Sequence, residues 1–234
     1  MTKIIRRAND RGFFDHGWLK THHSFSFGEY HDENFMNFAS LRVINEDYIA
    51  AQKGFGFHPH QSMEIITFVL RGTLTHLDNL GNREEIGAGC FQIMSAGDGI
   101  THSEFNYGNE EVHLLQIWIK PNKKGGAPSY KIFKPEIEGR WALVAANVDN
   151  QNSGANFLQM KQDACVYAID SQNLREINLP KITQEKIWLQ VALGNIELDD
   201  GTKLNAGDGL GINASEIKKI IFHEKTKLVL FGLN

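Results

Sequence analysis

The chain has 234 residues, 41% hydrophobic and 22% charged, and its 28 acidic against 24 basic side chains give a net charge of −4. That length buries a core without staples, and two cysteines, Cys90 and Cys165, exclude a disulfide framework and favour a reducing, cytoplasmic setting. No stretch approaches the roughly 18 uninterrupted apolar residues of a membrane span, the opening Met1–Arg7 lacks a signal-peptide core, and no basic block equips the chain for direct nucleic-acid binding.

In chain order, short β-branched and aromatic runs bounded by glycine predict strands over Ser40–Val43, Ile65–Leu70, Thr73–Leu77, Cys90–Met94 and His113–Ile119. Beyond the middle the same pattern predicts Trp141–Ala145, Ala164–Ile169, Ile187–Leu193, Ile196–Leu198, Leu210–Ile212 and Lys227–Phe231. Asp78–Asn82 and Asp199–Gly201 carry the Asn, Asp and Gly residues of hairpin turns. The expected class is all-β, a sandwich or barrel.

Pro121–Pro128, polar and rich in proline and glycine, reads as a linker. It predicts an N-terminal domain over 1–122, a linker over 123–130 and a C-terminal domain over 131–234. The halves resemble each other: Phe68–Leu74 is echoed by Gln190–Ile196, and each is followed by a second glycine signal, at Gly89 and at Gly207. Two copies of one β unit is the economical reading.

Histidine is not shared evenly between them. Nine of the ten histidines fall at or before His113. Among these, His58 and His60 are two apart, which puts both on one face of an extended segment. His102 and Glu104 repeat that spacing. Two such strands side by side offer three imidazoles and one carboxylate to a single point. That set suits iron, manganese, nickel, copper or zinc, whereas calcium and magnesium prefer oxygen shells. The alternative is a group of surface or pocket histidines with no ion. His76 reads as a hydrogen-bonded strand residue, and His113 as a residue that orients a ligand from behind. His16, His22, His23 and His31 read as packing or pocket wall, and Phe55, Phe57 and Phe105 as either pocket or core.

His58-Pro59-His60, Gly72, Gly99-Ile100-Thr101-His102 and Asn106 resemble the two motifs of the cupin superfamily. More specifically, His16–Leu19, His23–Phe27, Leu41–Asp47, Gly54–His60, Met63–Ile65 and Gln92–Gly97 resemble the pirin family, from about Arg6 to Pro121 and more weakly near Ile187–Val191. The resemblance implies a bicupin with metal only in the N-terminal domain, held at the positions of His58, His60, His102 and Glu104. It implies an iron centre that tolerates other divalent ions, and a quercetin dioxygenase activity in which a flavonol-like substrate meets O2. Glu104, as ligand or partly released, would take the substrate proton and so is the catalytic candidate. Animal members instead imply a metal-dependent sensor or regulatory partner of other proteins. A monomer is expected. The chain departs from the general cupin pattern at Ile65, where a glutamate ligand would stand, and Glu64 lies one residue out of phase with it. The second half has no counterpart of the histidine motifs.

Overall fold

The computed structural model describes residues 3–147 and 157–234. Among them are no α-helices, only three single turns of 3₁₀ helix, and the rest of the regular structure is β. No helix among the described residues is long and apolar enough to cross a membrane. The first twelve strands are β1 (Ile4–Arg6), β2 (Gly12–Asp15), β3 (Leu19–His23), β4 (Leu41–Ile49), β5 (Lys53–His60), β6 (Glu64–Arg71), β7 (Thr73–Asp78), β8 (Arg83–Gly87), β9 (Phe91–Ser95), β10 (Ile100–Asn106), β11 (Val112–Ile119) and β12 (Ser129–Phe133). The predicted strands appear, most of them one or two residues longer, and Ser40–Val43 grows into the nine-residue β4.

The chain divides into two compact units, one built on residues 12–134 and 158–162, the other on 3–11, 135–147, 157 and 163–234. The first holds a seven-stranded antiparallel sheet in the order β12-β9-β6-β11-β4-β3-β2 and a four-stranded sheet in the order β5-β10-β7-β8. Leu74 and Ile86 of the small sheet pack with Ile49, Val69, Val112 and Leu114 of the large one, so both sheets turn their apolar face to one core. Phe68 and Phe91 stack at 4.0 Å within the large sheet.

The division differs from the linker at 123–130 in two places. Ser129 and Tyr130 begin β12, which pairs with β9 and extends the first unit's sheet. At the other end, β1 pairs with Gly209–Gly211 and belongs to the second unit. Both are edge strands, whose unmet backbone groups accept whichever segment reaches them.

The second unit repeats the plan. Its larger sheet runs β1, Gly209–Asn213, Lys186–Leu193, Lys227–Leu233, Cys165–Asp170 and Ala142–Asn147. Its four-stranded sheet runs Glu176–Asn178, Lys219–Phe222, Asn195–Leu198 and Lys203–Asn205. Gly72 and Gly194, with φ of +80° and +79°, turn the same hairpin in each unit.

Candidate metal centre

Strands β5 and β10 lie side by side, antiparallel, with His102 directly opposite His58 and Ile100 opposite His60. Alternation places His58 and His60 on one face, and the cross-strand register brings His102 onto it. The three rings form a near-equilateral triangle, with centroids 4.5 Å apart for His58–His102 and 4.9 Å for each pair with His60. Their ligand nitrogens lie within 4.8 Å of one another. Close approach of the strands depends on Gly54, where an added Cβ would sit 2.4 Å from the Glu104 carbonyl oxygen. A bulge falls between His102 and Glu104, where β10 spends two residues against three on β5.

His58 Nδ1 donates to the Gly56 carbonyl at 2.7 Å, which leaves Nε2 as its lone-pair nitrogen. His102 is 1% exposed, and its buried Nε2 has no hydrogen-bond partner. Burial, followed by the neighbouring imidazoles, pushes the His60 pKa down to about 4 and the His102 pKa down to about 3. Both rings are therefore neutral at pH 7, the form that ligates metal. A buried nitrogen lone pair beside two more imidazoles fits a borderline transition ion, which would satisfy the orphaned atom.

Glu104 stands two residues on, 2% exposed, in a second buried group with His76 and His102. It is not within the His58–His60–His102 cluster by the same measure. Its Oε1 accepts from Gln92 Nε2 and from Thr67 Oγ1, and its Oε2 accepts from Gln116 Nε2 at 2.8 Å. Oε2, with one bond, keeps a free lone pair, whereas both lone pairs of Oε1 are taken. His76 is wholly buried on β7, with Nε2 3.1 Å from Asp78 Oδ2 and Nδ1 3.3 Å from His102 Nδ1. Burial pushes the Asp78 carboxyl up, but bonds from Asn82, His76 and Leu80 outweigh it and hold the pKa below its usual value.

The remaining sequence candidates separate. His113 bonds Glu46 Oε1 at 2.8 Å and stacks on Tyr48, and so has its own partner. Glu64 accepts from Ser95 Oγ on β9 and joins neither histidine group. Asn106 donates to the carbonyls of Ile49, Ala50 and Glu110 and ties the following loop, a structural duty. Phe57 is 64% exposed; Phe105 packs on Tyr107; Phe55 faces a cavity.

That cavity, of about 230 Å³, lies in the first unit, with Phe14, Phe27 and Phe55 as aromatic wall and Thr21, Asn45 and Asp47 as polar wall. His16 and His23 line it as well, in keeping with their reading as pocket residues. It adjoins the histidine triangle: Phe55 sits 6.2 Å from the His58 ring, and Trp118 bridges His60 at 5.0 Å to Phe27 at 5.3 Å. Thr21 and Asp47 are direct cross-strand partners on β3 and β4. The buried Asn45 Oδ1 and Asp47 Oδ1 have no hydrogen-bond partner. Burial pushes the Asp47 carboxyl up to about 7; the Thr21 hydroxyl opposes this, and the Glu104 and Glu46 carboxylates add to it.

Residues 5–119 match the family model described as Pirin, and residues 143–233 match that of the quercetinase C-terminal cupin domain. A quercetin 2,3-dioxygenase of Escherichia coli K12 is 40% identical over 98% of this chain and 97% of its own length. A pirin-like protein of Caulobacter vibrioides is 41% identical over 97% of this chain and 98% of its own. In structure, the bacterial pirin YhhW of Escherichia coli, solved in complex with nickel(II), superimposes with a TM-score of 0.89 at 41% identity over 99% of each chain.

Proposed function

The chain belongs to the pirin family, with two cupin domains, and from that footing we propose a metal-dependent dioxygenase that opens flavonols such as quercetin with O2. Iron is the proposed ion, His58, His60, His102 and Glu104 the proposed ligands, and the N-terminal domain its only seat. The proposal extends to a monomer acting in the cytoplasm. The observation that carries it is the triangle of three imidazoles, with a bare buried His102 Nε2, beside an aromatic-walled cavity. Nickel(II) in the Escherichia coli relative supports a first-row transition ion as the class of metal.

When bound, such an ion supplies the Lewis acidity that lowers the pKa of a coordinated hydroxyl. The chain's own residues do the rest. Phe14, Phe27 and Phe55 hold a flat ring by stacking and keep water from it. Asn45 Oδ1 and Asp47 Oδ1, buried and unmatched, accept bonds from phenolic hydroxyls, which orients the 3-hydroxyl toward the histidines. Glu104 takes the proton of that hydroxyl on a carboxylate oxygen, while Gln92 and Gln116 fix the direction of the carboxylate. Ring opening with loss of carbon monoxide then consumes O2.

The test is oxygen uptake together with loss of the flavonol absorbance band in metal-loaded protein. Both are expected in the wild type and absent in His60→Ala and Glu104→Gln. Full metal content with no turnover across a flavonol panel would contradict the reading.

A further inference from the structure

His76 and Asp78 touch neither the cavity nor His58 and His60, yet they are joined to His102 end to end. The Asp78 carboxylate cannot rotate. Its Oδ1 accepts from the backbone N–H groups of Leu80 at 2.9 Å and Asn82 at 3.1 Å, and its Oδ2 from Asn82 Nδ2 at 2.7 Å and from His76 Nε2 at 3.1 Å. Tyr130 lies flat on the His76 ring, 4.0 Å between centroids and 17° between planes, so that ring is held too.

With both imidazoles neutral, the protons along this chain take one arrangement. A carboxylate oxygen only accepts, so His76 Nε2 carries the hydrogen. A neutral imidazole has one N–H, so His76 Nδ1 is an acceptor. Its contact with His102 Nδ1 at 3.3 Å is then a hydrogen bond only if His102 supplies the proton. His102 accordingly bears its hydrogen on Nδ1, and Nε2, the atom with no partner, keeps its lone pair.

We propose that Asp78 and His76 are positioning residues that order the protons along the chain and fix His102 in the tautomer whose Nε2 is free to ligate. The inference rests on the reading of His102 as a ligand, but its first consequence is a property of the metal-free protein. A single atom exchange reverses it. In Asp78→Asn the amide oxygen stays where the two backbone N–H groups point, the Asn82 amide turns to present its oxygen, and the new amide nitrogen donates to Asn82 and to His76 Nε2. The His76 proton then sits on Nδ1, His102 Nδ1 becomes the acceptor, and His102 carries its hydrogen on Nε2, blocking the ligand atom.

The experiment is long-range ¹H–¹⁵N correlation spectroscopy of the imidazoles in the metal-free chain, paired with nickel(II) titration against a competing chelator. Wild type is expected to show His102 as the Nδ1–H tautomer, and Asp78→Asn as Nε2–H. Nickel affinity should fall about 10–100-fold in Asp78→Asn, the range for residues that orient a metal ligand. His76→Phe keeps the ring under Tyr130 but has no nitrogen, and should lose affinity to a similar degree with no fixed His102 tautomer; it carries the test if Asp78→Asn does not fold. Nε2–H on His102 in the wild type, or wild-type nickel affinity in both variants, would overturn the proposal. So would a second nickel equivalent removed by His76→Phe, because His102 Nδ1 would then be a ligand. Nδ1–H in a wild type that binds no metal would retain the proton chain and sink the ligand reading instead.

Discussion

The two units of this chain share a scaffold and differ in what fills it. Counting from Gly72 and Gly194, Thr67 corresponds to Leu189 and His76 to Leu198. The pairings carry the comparison across the sheets. Thr67 lies opposite Gln92 and Gln116, whereas Leu189 lies opposite Leu210 and Leu230. His76 lies opposite Glu104, whereas Leu198 lies opposite Ile220. Asp47, beside Leu114, finds its counterpart in Ile169, beside Leu228. All seven residues named from the second unit belong to one hydrophobic core. The same backbone therefore holds either a polar network around a carboxylate or a plain aliphatic interior. The site is a matter of side chains placed on an indifferent frame.

Exchanging residues between the two sets should show how far that equivalence goes. The largest effect is expected from Ile220→Glu, which buries a lone carboxylate among leucines. It should cost on the order of 4 kcal/mol in denaturant unfolding, more as pH rises because the buried acid must then ionise. Glu104→Ile comes next. It leaves the half-buried Gln116 amide with no acceptor and strips Gln92 of one of its two, Thr67 Oγ1 remaining, a loss of about 3 kcal/mol. Adding Thr67→Leu, Gln92→Leu and Gln116→Leu rebuilds the second unit's set and should recover part of that loss. A fourfold variant less stable than Glu104→Ile alone would show that the two interiors are not interchangeable.

Gly54→Ala should cost about 2 kcal/mol by forcing β5 away from β10, and should weaken metal binding with it. The second unit carries Glu176 at that register, opposite Ile221, and has no histidine pair to bring together. Thermal unfolding with and without added metal reads both effects.

The smallest effect is expected from Asp47→Asn. A folded pKa near 7, above the roughly 3.8 of the unfolded chain, means that the stability Asp47 contributes is complete below about pH 3.8 and is lost as pH rises through 7. Removing the titration should raise stability at pH 8 by about 1–2 kcal/mol relative to pH 6. An unchanged pH profile would show that the Asp47 carboxyl is not desolvated.

The fold was legible because its signals are local. Runs rich in β-branched and aromatic residues, such as Ile65–Leu70 and His113–Ile119, announce their strands, and Gly72 and Gly194 mark their hairpins in the sequence. Strands as short as Glu176–Asn178 and Lys203–Asn205 carry too few residues to show a period. β12 hides behind the prolines of the apparent linker. At the site, His-x-His and His-x-Glu were legible because two-residue spacing alone puts side chains on one face. The bulge on β5 was not: alternation from His58 already turns Phe57 to solvent, and the extra residue brings Phe55 round to the cavity. Nor was the link from His102 to His76, 26 positions away in sequence, or the convergence of Thr67, Gln92 and Gln116 on Glu104 from three strands. Those contacts exist only once sheet order is known. His76 is the hydrogen-bonded strand residue that its place before the Asp78 turn suggests, but spacing does not name its partner His102.

Metal content is the most direct measure of whether the first unit's polar interior is a metal centre. Elemental analysis of the chain, expressed without added metal and again after loading, should find about one equivalent of a first-row transition ion, with a higher thermal midpoint in the loaded protein. His60→Ala should lose both. A wild-type chain that holds no such ion after loading, and gains no thermal stability from any divalent metal offered, would contradict the account.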